Sequence, residues 1–123
     1  MAGPGDWRTV DPEADHLVIT QTDDRGVPVL RLEGGLDLLS LRMLEDALAA
    51  GAPAAGEVVL DMRALEFIDS SGVRCLLQQD ASRRERGGSL VFVASPDGTF
   101  ARTVRLLRLW DRFEIREDDS AAT

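Results

Sequence analysis

One stretch of this chain, a strand that turns and reopens as a helix behind two serines, limits its possible folds more than any other. Val58-Val59-Leu60 is a short apolar run of the kind found in strands covered on both faces. Leu65, Phe67 and Ile68 are expected to carry the connecting segment back onto the core. Asp69-Ser70-Ser71 then supplies a row of good N-cap residue types ahead of Val73, Leu76, Leu77 and Ala81, which recur at helical spacing. A serine in that position lies where backbone N–H groups are unpaired and the helix dipole is positive, an arrangement that favours a phosphate.

The flanking segments repeat the theme. His16–Gln21 and Val27–Glu33 alternate apolar and polar residues around the turn Thr22-Asp23-Asp24-Arg25-Gly26 and are expected to form a hairpin. Gly34-Gly35-Leu36-Asp37 is expected to break the second strand. Ser40 is the expected N-cap of a helix to about Ala50 with Leu41, Leu44, Ala47 and Leu48 inward. A second helix runs from about Ser71 to Arg86 and stops at Gly87-Gly88, followed by a buried strand over Ser89–Ala94. Ser95-Pro96 is expected to open a third helix, with Phe100, Val104 and Leu107 inward and Arg102, Arg105 and Arg108 outward. A short last strand is expected within Trp110–Arg116, around Phe113 and Ile115. Alternating strands and helices joined by short links imply crossover connections, so the fold class is α/β, with a mixed, mostly parallel sheet of about five strands and helices packed against it.

The 123 residues suit one domain. Residues 1–12 are expected to be a flexible N-terminal segment, 13–117 the domain and 118–123 a polar tail. No apolar run is long enough to span a bilayer, and the N-terminus lacks the basic-then-apolar pattern of a signal peptide. The single cysteine, Cys75, fits a reducing compartment, so no membrane insertion and a cytoplasmic location are expected. A net charge of −8 argues against direct DNA binding through a general electrostatic footprint.

Catalysis finds little support. The only histidine, His16, belongs to the first strand, and no glycine precedes Ser70 or Ser71 as a nucleophile elbow would require. One Cys and one His make no structural zinc site, and no glycine-rich phosphate loop is present, so no metal, cofactor or catalytic residue is assigned. Asp61 follows a strand as a receiver's phospho-acceptor would, but partner carboxylates for Mg²⁺ are missing, and the residue is expected to fix its turn instead. Cys75 reads as a small buried hydrophobe.

Val59-Leu60-Asp61 followed by Phe67-Ile68-Asp69-Ser70-Ser71-Gly72-Val73 resembles the signature of the bacterial anti-sigma factor antagonists, members of the STAS domain superfamily. Gly34-Gly35-Leu36-Asp37 resembles the family's Gly-Glu-Leu-Asp turn, and Gly87-Gly88-Ser89-Leu90 its Gly-Gly before the next strand. The resemblance implies a single STAS-type domain and a non-enzymatic anti-sigma factor antagonist that works by partner switching. The partner would be an anti-sigma factor that is also a GHKL-type serine kinase, whose capture releases a sigma factor. Phosphorylation of Ser70, or less favourably Ser71, would switch the antagonist off, and a PP2C-type phosphatase would restore it. Asp37, Asp69, Ser70, Ser71 and Gly72 would form the partner-binding surface. Two departures stand out: Gly35 replaces the usual glutamate, and Leu109-Trp110-Asp111 stands where a glycine-containing turn is common. They keep open the alternative of a non-switching STAS scaffold in a stress-sensing or transporter-associated complex. A small hydrolase and a nucleotide-binding domain are weaker rivals.

Overall fold

The computed structural model describes residues 16–51 and 56–118; the expected flexible segment 1–12 and nearly all of the expected tail lie outside them. Strand β1 (Val18–Asp24) turns at Arg25 and Gly26, whose φ angles of 55° and 90° give the primed turn that matches strand twist, and returns antiparallel as β2 (Val27–Leu36). Then follow α1 (Leu41–Gly51), β3 (Glu57–Asp61), β4 (Leu65–Ile68), α2 (Ser70–Glu85), β5 (Ser89–Ala94), α3 (Thr99–Leu106), a 3-10 turn at Trp110–Arg112 and β6 (Glu114–Glu117).

Five strands line up as β1-β2-β3-β5-β6, and every pairing after the hairpin is parallel. The sixth, β4, pairs with the far half of β2. β2 meets β3 at Val29–Arg31 and β4 at Gly34–Leu36, so β4 resumes the lane that β3 leaves at Asp61. The α/β class expected from the sequence is therefore observed as a mixed sheet of six strands with three helices.

One face of the sheet carries the core. Leu30, Leu32, Val58, Leu60, Leu90, Phe92 and Ala94 pack with Leu44 and Leu48 of α1, Val73 and Leu76 of α2, and Phe100, Ala101 and Val104 of α3. The rings of Phe92, Phe100 and Phe113 lie 4.8 to 6.0 Å apart between centroids and tie α3 and the last turn to the sheet. Alternation sends Asp61 to the opposite face, in register with Arg31.

Several expectations are corrected. Gly34-Gly35 does not end β2; a bulge carries the strand through to Leu36. Gly34 has φ +94°, and a Cβ there would collide with the His16 carbonyl, so glycine is required for this close passage. The connecting segment at Leu65–Ile68 is itself a strand, and Phe67 points out, 43% exposed. Pro96 does not open α3. The Gly98 N–H bonds the Ser95 carbonyl at 2.9 Å, closing a turn first, and Gly98 is the N-cap. Leu107 is the C-cap of α3 and is exposed, and Arg108 lies beyond the helix with φ 61°.

Candidate functional site

Two loops meet at the same end of the sheet, one leading from β2 into α1 and one from β4 into α2. The Asp69 N–H bonds the Leu36 carbonyl at 3.3 Å, which seats the second loop on the end of β2. Gly72 follows because nothing larger fits: a Cβ there would lie 2.6 Å from the Leu36 carbonyl oxygen.

Asp69 caps α2. Its backbone is extended, and its Oδ1 accepts from the Gly72 N–H at 2.9 Å and from the Ser71 hydroxyl at 2.6 Å. Burial raises the pKa of this carboxyl. The bonds from the Ser71 hydroxyl and from the N–H groups of Gly72, Ser71 and Leu38 outweigh that effect and hold it below the ordinary 3.8. Asp69 thus caps α2 through its carboxylate while its own N–H, bonded to the Leu36 carbonyl, ties the cap to the neighbouring loop.

Asp37 is occupied with its own turn. Its N–H donates to the Ser40 hydroxyl oxygen at 3.0 Å, and its Oδ1 accepts from the Leu39 N–H at 3.1 Å. The Ser40 hydroxyl lies 3.1 Å from the Gly35 carbonyl and 3.2 Å from both Asp37 oxygens that could accept from it. Ser40 was expected to cap α1 with its side chain. Its carbonyl does accept the first bonds of the helix, from Met43 and Leu44, but its hydroxyl turns back to stiffen the Asp37 turn.

The two serines therefore differ. The Ser71 hydroxyl is committed to Asp69 and is half-buried, whereas Ser70 is exposed and its hydroxyl bonds no group among the described residues. Of the residues singled out from the sequence, Asp69, Ser70, Ser71 and Gly72 form one continuous cap, and the bond from the Asp69 N–H to the Leu36 carbonyl brings the Asp37 turn alongside. Gly35 is buried in the ladder opposite Phe67.

The chain as a whole matches a known architecture. The family model for the Mlab STAS domain matches residues 19–116. The chain belongs to the STAS domain family. This STAS domain is 31% identical over 105 residues to the anti-sigma-F factor antagonist RsfB of Mycobacterium tuberculosis, covering 82% of each protein. It superposes on the crystal structure of an anti-sigma factor antagonist from Mycobacterium paratuberculosis with a TM-score of 0.65 and 28% identity, covering 85% of this chain and 87% of that one. The Bacillus cell-fate determinant SpoIIAA, solved in its phosphorylated form, shares the fold with a TM-score of 0.58 at 20% identity over 82% of this chain and 91% of that one.

Elsewhere Asp61 and Cys75 are built into the structure. Asp61 fixes its turn as expected, with Oδ1 accepting from the Arg63 N–H at 3.1 Å and a two-pronged guanidinium contact at 2.9 and 2.8 Å. Burial raises the Asp61 pKa, and Arg63 more than reverses this. Cys75 is buried and its thiol is pushed up to about 11, chiefly by desolvation and further by Glu45. Among the described residues, no helix is long and apolar enough to cross a membrane. Sequence reading overlooked Leu38 and Leu39, which stand 70% and 91% exposed beside the site. The signal was available: two adjacent leucines between Asp37 and Ser40 satisfy neither strand nor helix periodicity.

Proposed function

We propose that this STAS domain is a cytoplasmic, non-enzymatic anti-sigma factor antagonist. It binds a GHKL-type serine-kinase anti-sigma factor through the Asp37 turn and the mouth of α2, and so releases a sigma factor. Phosphorylation of Ser70 switches it off, and a PP2C-type phosphatase reverses the switch. The observation that carries the reading is the inequivalence of the serines: Ser70 offers an exposed hydroxyl with no partner among the described residues, one position after a locked cap. The relatives named as anti-sigma factor antagonists support the general role.

The physical logic is local. A phosphate on Ser70 adds about −1.5 to −2 charges next to Asp69 at a helix mouth able to hold it, so the fold has no need to rearrange. A partner fitted to a neutral hydroxyl meets bulk, like charge and a desolvation cost, and each 1.4 kcal/mol or so of penalty weakens binding about tenfold.

The test is incubation of the purified chain with ATP and a candidate kinase-type anti-sigma factor from the same genome, with the phosphate located by mass spectrometry and the complex followed by gel filtration. Phosphate on Ser70 with loss of the complex is expected, as is a Ser70→Ala variant that stays bound. A Ser70→Asp variant that binds as tightly as wild type would sink the switch. A stable complex that never accepts phosphate would favour the non-switching scaffold, to which the missing acidic group at Gly35 lends some support.

A further inference from the structure

The loop from β2 to α1 holds two leucines out into water. Leu38 is 70% and Leu39 91% exposed, and Met43, four residues after Leu39 and on the first turn of α1, is 38% exposed. Their turn is stiff. Asp37 grips the Leu39 N–H at 3.1 Å, the Ser40 hydroxyl braces the turn from inside, and the Asp69 N–H of the other loop holds the Leu36 carbonyl at 3.3 Å. Side chains so presented lose little freedom on binding, which is how contact surfaces gain affinity without gaining area. Their loop also meets the one that carries Ser70, since the N–H of Asp69, the residue before it, bonds the Leu36 carbonyl at 3.3 Å.

We propose that Leu38 and Leu39 are the apolar anchor of the partner-binding surface. They enter a hydrophobic pocket on the anti-sigma factor whose rim is cationic and meets Asp37 and Asp69. The proposal rests on the functional reading above and adds what selects the partner: the two leucines supply an apolar contact between the carboxylates of Asp37 and Asp69. Charge chooses this occupant over two others. A second copy docked through the same patch would bring the Asp37 and Asp69 pairs of two chains of net charge −8 together. The chain's own first residues would add Asp6, Asp11, Glu13 and Asp15 to that acidic edge. A partner covering the leucines also lies over Ser70, so a phosphate there would expel it.

The experiment measures binding of the full chain to the kinase-type anti-sigma factor by isothermal titration calorimetry without ATP, for wild type, a Leu38→Ser/Leu39→Ser double variant and a Leu38→Met/Leu39→Met control. Thermal melts check that the exposed positions leave folding intact. The double serine variant is expected to bind about a hundredfold more weakly, while the methionine control stays within about threefold of wild type. A wild-type complex whose affinity the serine variant leaves within about twofold overturns the anchor and spares the functional reading. The anchor also fails if sedimentation finds wild-type self-association that the serine variant abolishes while partner affinity is unchanged. If wild type forms no complex with any kinase-type anti-sigma factor of that genome, the anchor and the functional reading fall together.

Discussion

Replacing Asp69 by alanine tests the cap on which the site is built. The substitution removes the acceptor for the Gly72 N–H at 2.9 Å and for the Ser71 hydroxyl at 2.6 Å. Loss of an N-cap side chain costs about 1 kcal/mol and up to about 2. The upper end applies here, because Gly72 is buried and water reaches its N–H poorly, so a further part of the cost of an unmade bond is felt. A loss of about 2 kcal/mol lowers the urea midpoint by about 1 M for a domain of this size, at a slope of about 2 kcal/mol per M. Asn at position 69 separates bonding from charge. It keeps an acceptor for Gly72 and loses only the favourable interaction with the helix dipole, about 0.3–1 kcal/mol. The sign with pH follows from the depressed folded-state pKa: the charge contribution is complete above the ordinary 3.8 and disappears as pH falls through the lower folded value. The gap between wild type and Asp69→Asn should therefore close in acid, while the deficit of Asp69→Ala at neutral pH remains the larger. Urea unfolding followed by circular dichroism at pH 7 and near pH 2.5 measures both. An Asp69→Ala protein within about 0.5 kcal/mol of wild type at pH 7 would refute the assignment of Asp69 as the structural key of the site.

Two further perturbations probe the framework. Asp61→Asn removes the charge that faces the Arg63 guanidinium at 2.8 Å in a largely buried pair, and should cost about 3 kcal/mol at pH 7 by urea melts, less to the extent that Asp118, 3.2 Å from Arg63, takes over. The Asp61 pKa is likewise lowered, so this deficit too should shrink as pH falls below the ordinary 3.8, and an Asp61→Asn deficit independent of pH would count against the pair. Cys75, buried with its thiol near 11, should resist a thiol-specific reagent at pH 7.5 in the native chain and react fully in urea, and rapid native labelling would contradict its place in the core.

What could be read from the sequence was whatever local chemistry and tertiary packing agreed upon. The hairpin was legible because Arg25 and Gly26 lie in a dense turn sequence between two alternating runs, and the structure gives both residues positive φ. The strand–helix order was legible because the inward faces of α1 and α2 keep helical spacing. β4 was hidden by its burial pattern: Leu65 and Ile68 are buried while Glu66 and Phe67 face out, so no alternation marks a strand of four residues. At Gly34-Gly35 the local signal for a break was real, but pairing with β4 overrode it through a bulge. Ser95-Pro96 misled for a related reason, since a proline suited to a helix's first position suits the turn before that helix equally well. The motif Asp69-Ser70-Ser71-Gly72 marked the helix mouth, yet adjacent identical residues carry no information about which hydroxyl is free.

That last distinction rests on a single hydrogen bond and bears directly on the proposed switch. A phosphate on Ser71 would have to break the 2.6 Å bond to Asp69 and place a dianion against the carboxylate that holds the Gly72 N–H. Modification there would attack the cap and loosen both loops, so loss of partner and loss of local structure would come together. A phosphate on Ser70 leaves the Asp69–Ser71–Gly72 bonds in place and changes only the face presented to solvent. If the domain is switched as proposed, its fold has to survive many rounds of modification, and of the two hydroxyls that of Ser70 meets the requirement. Under the proposed switch, the bond from Ser71 to Asp69 would keep the helix capped with or without a phosphate, leaving Ser70 as the position where charge is added at little structural cost.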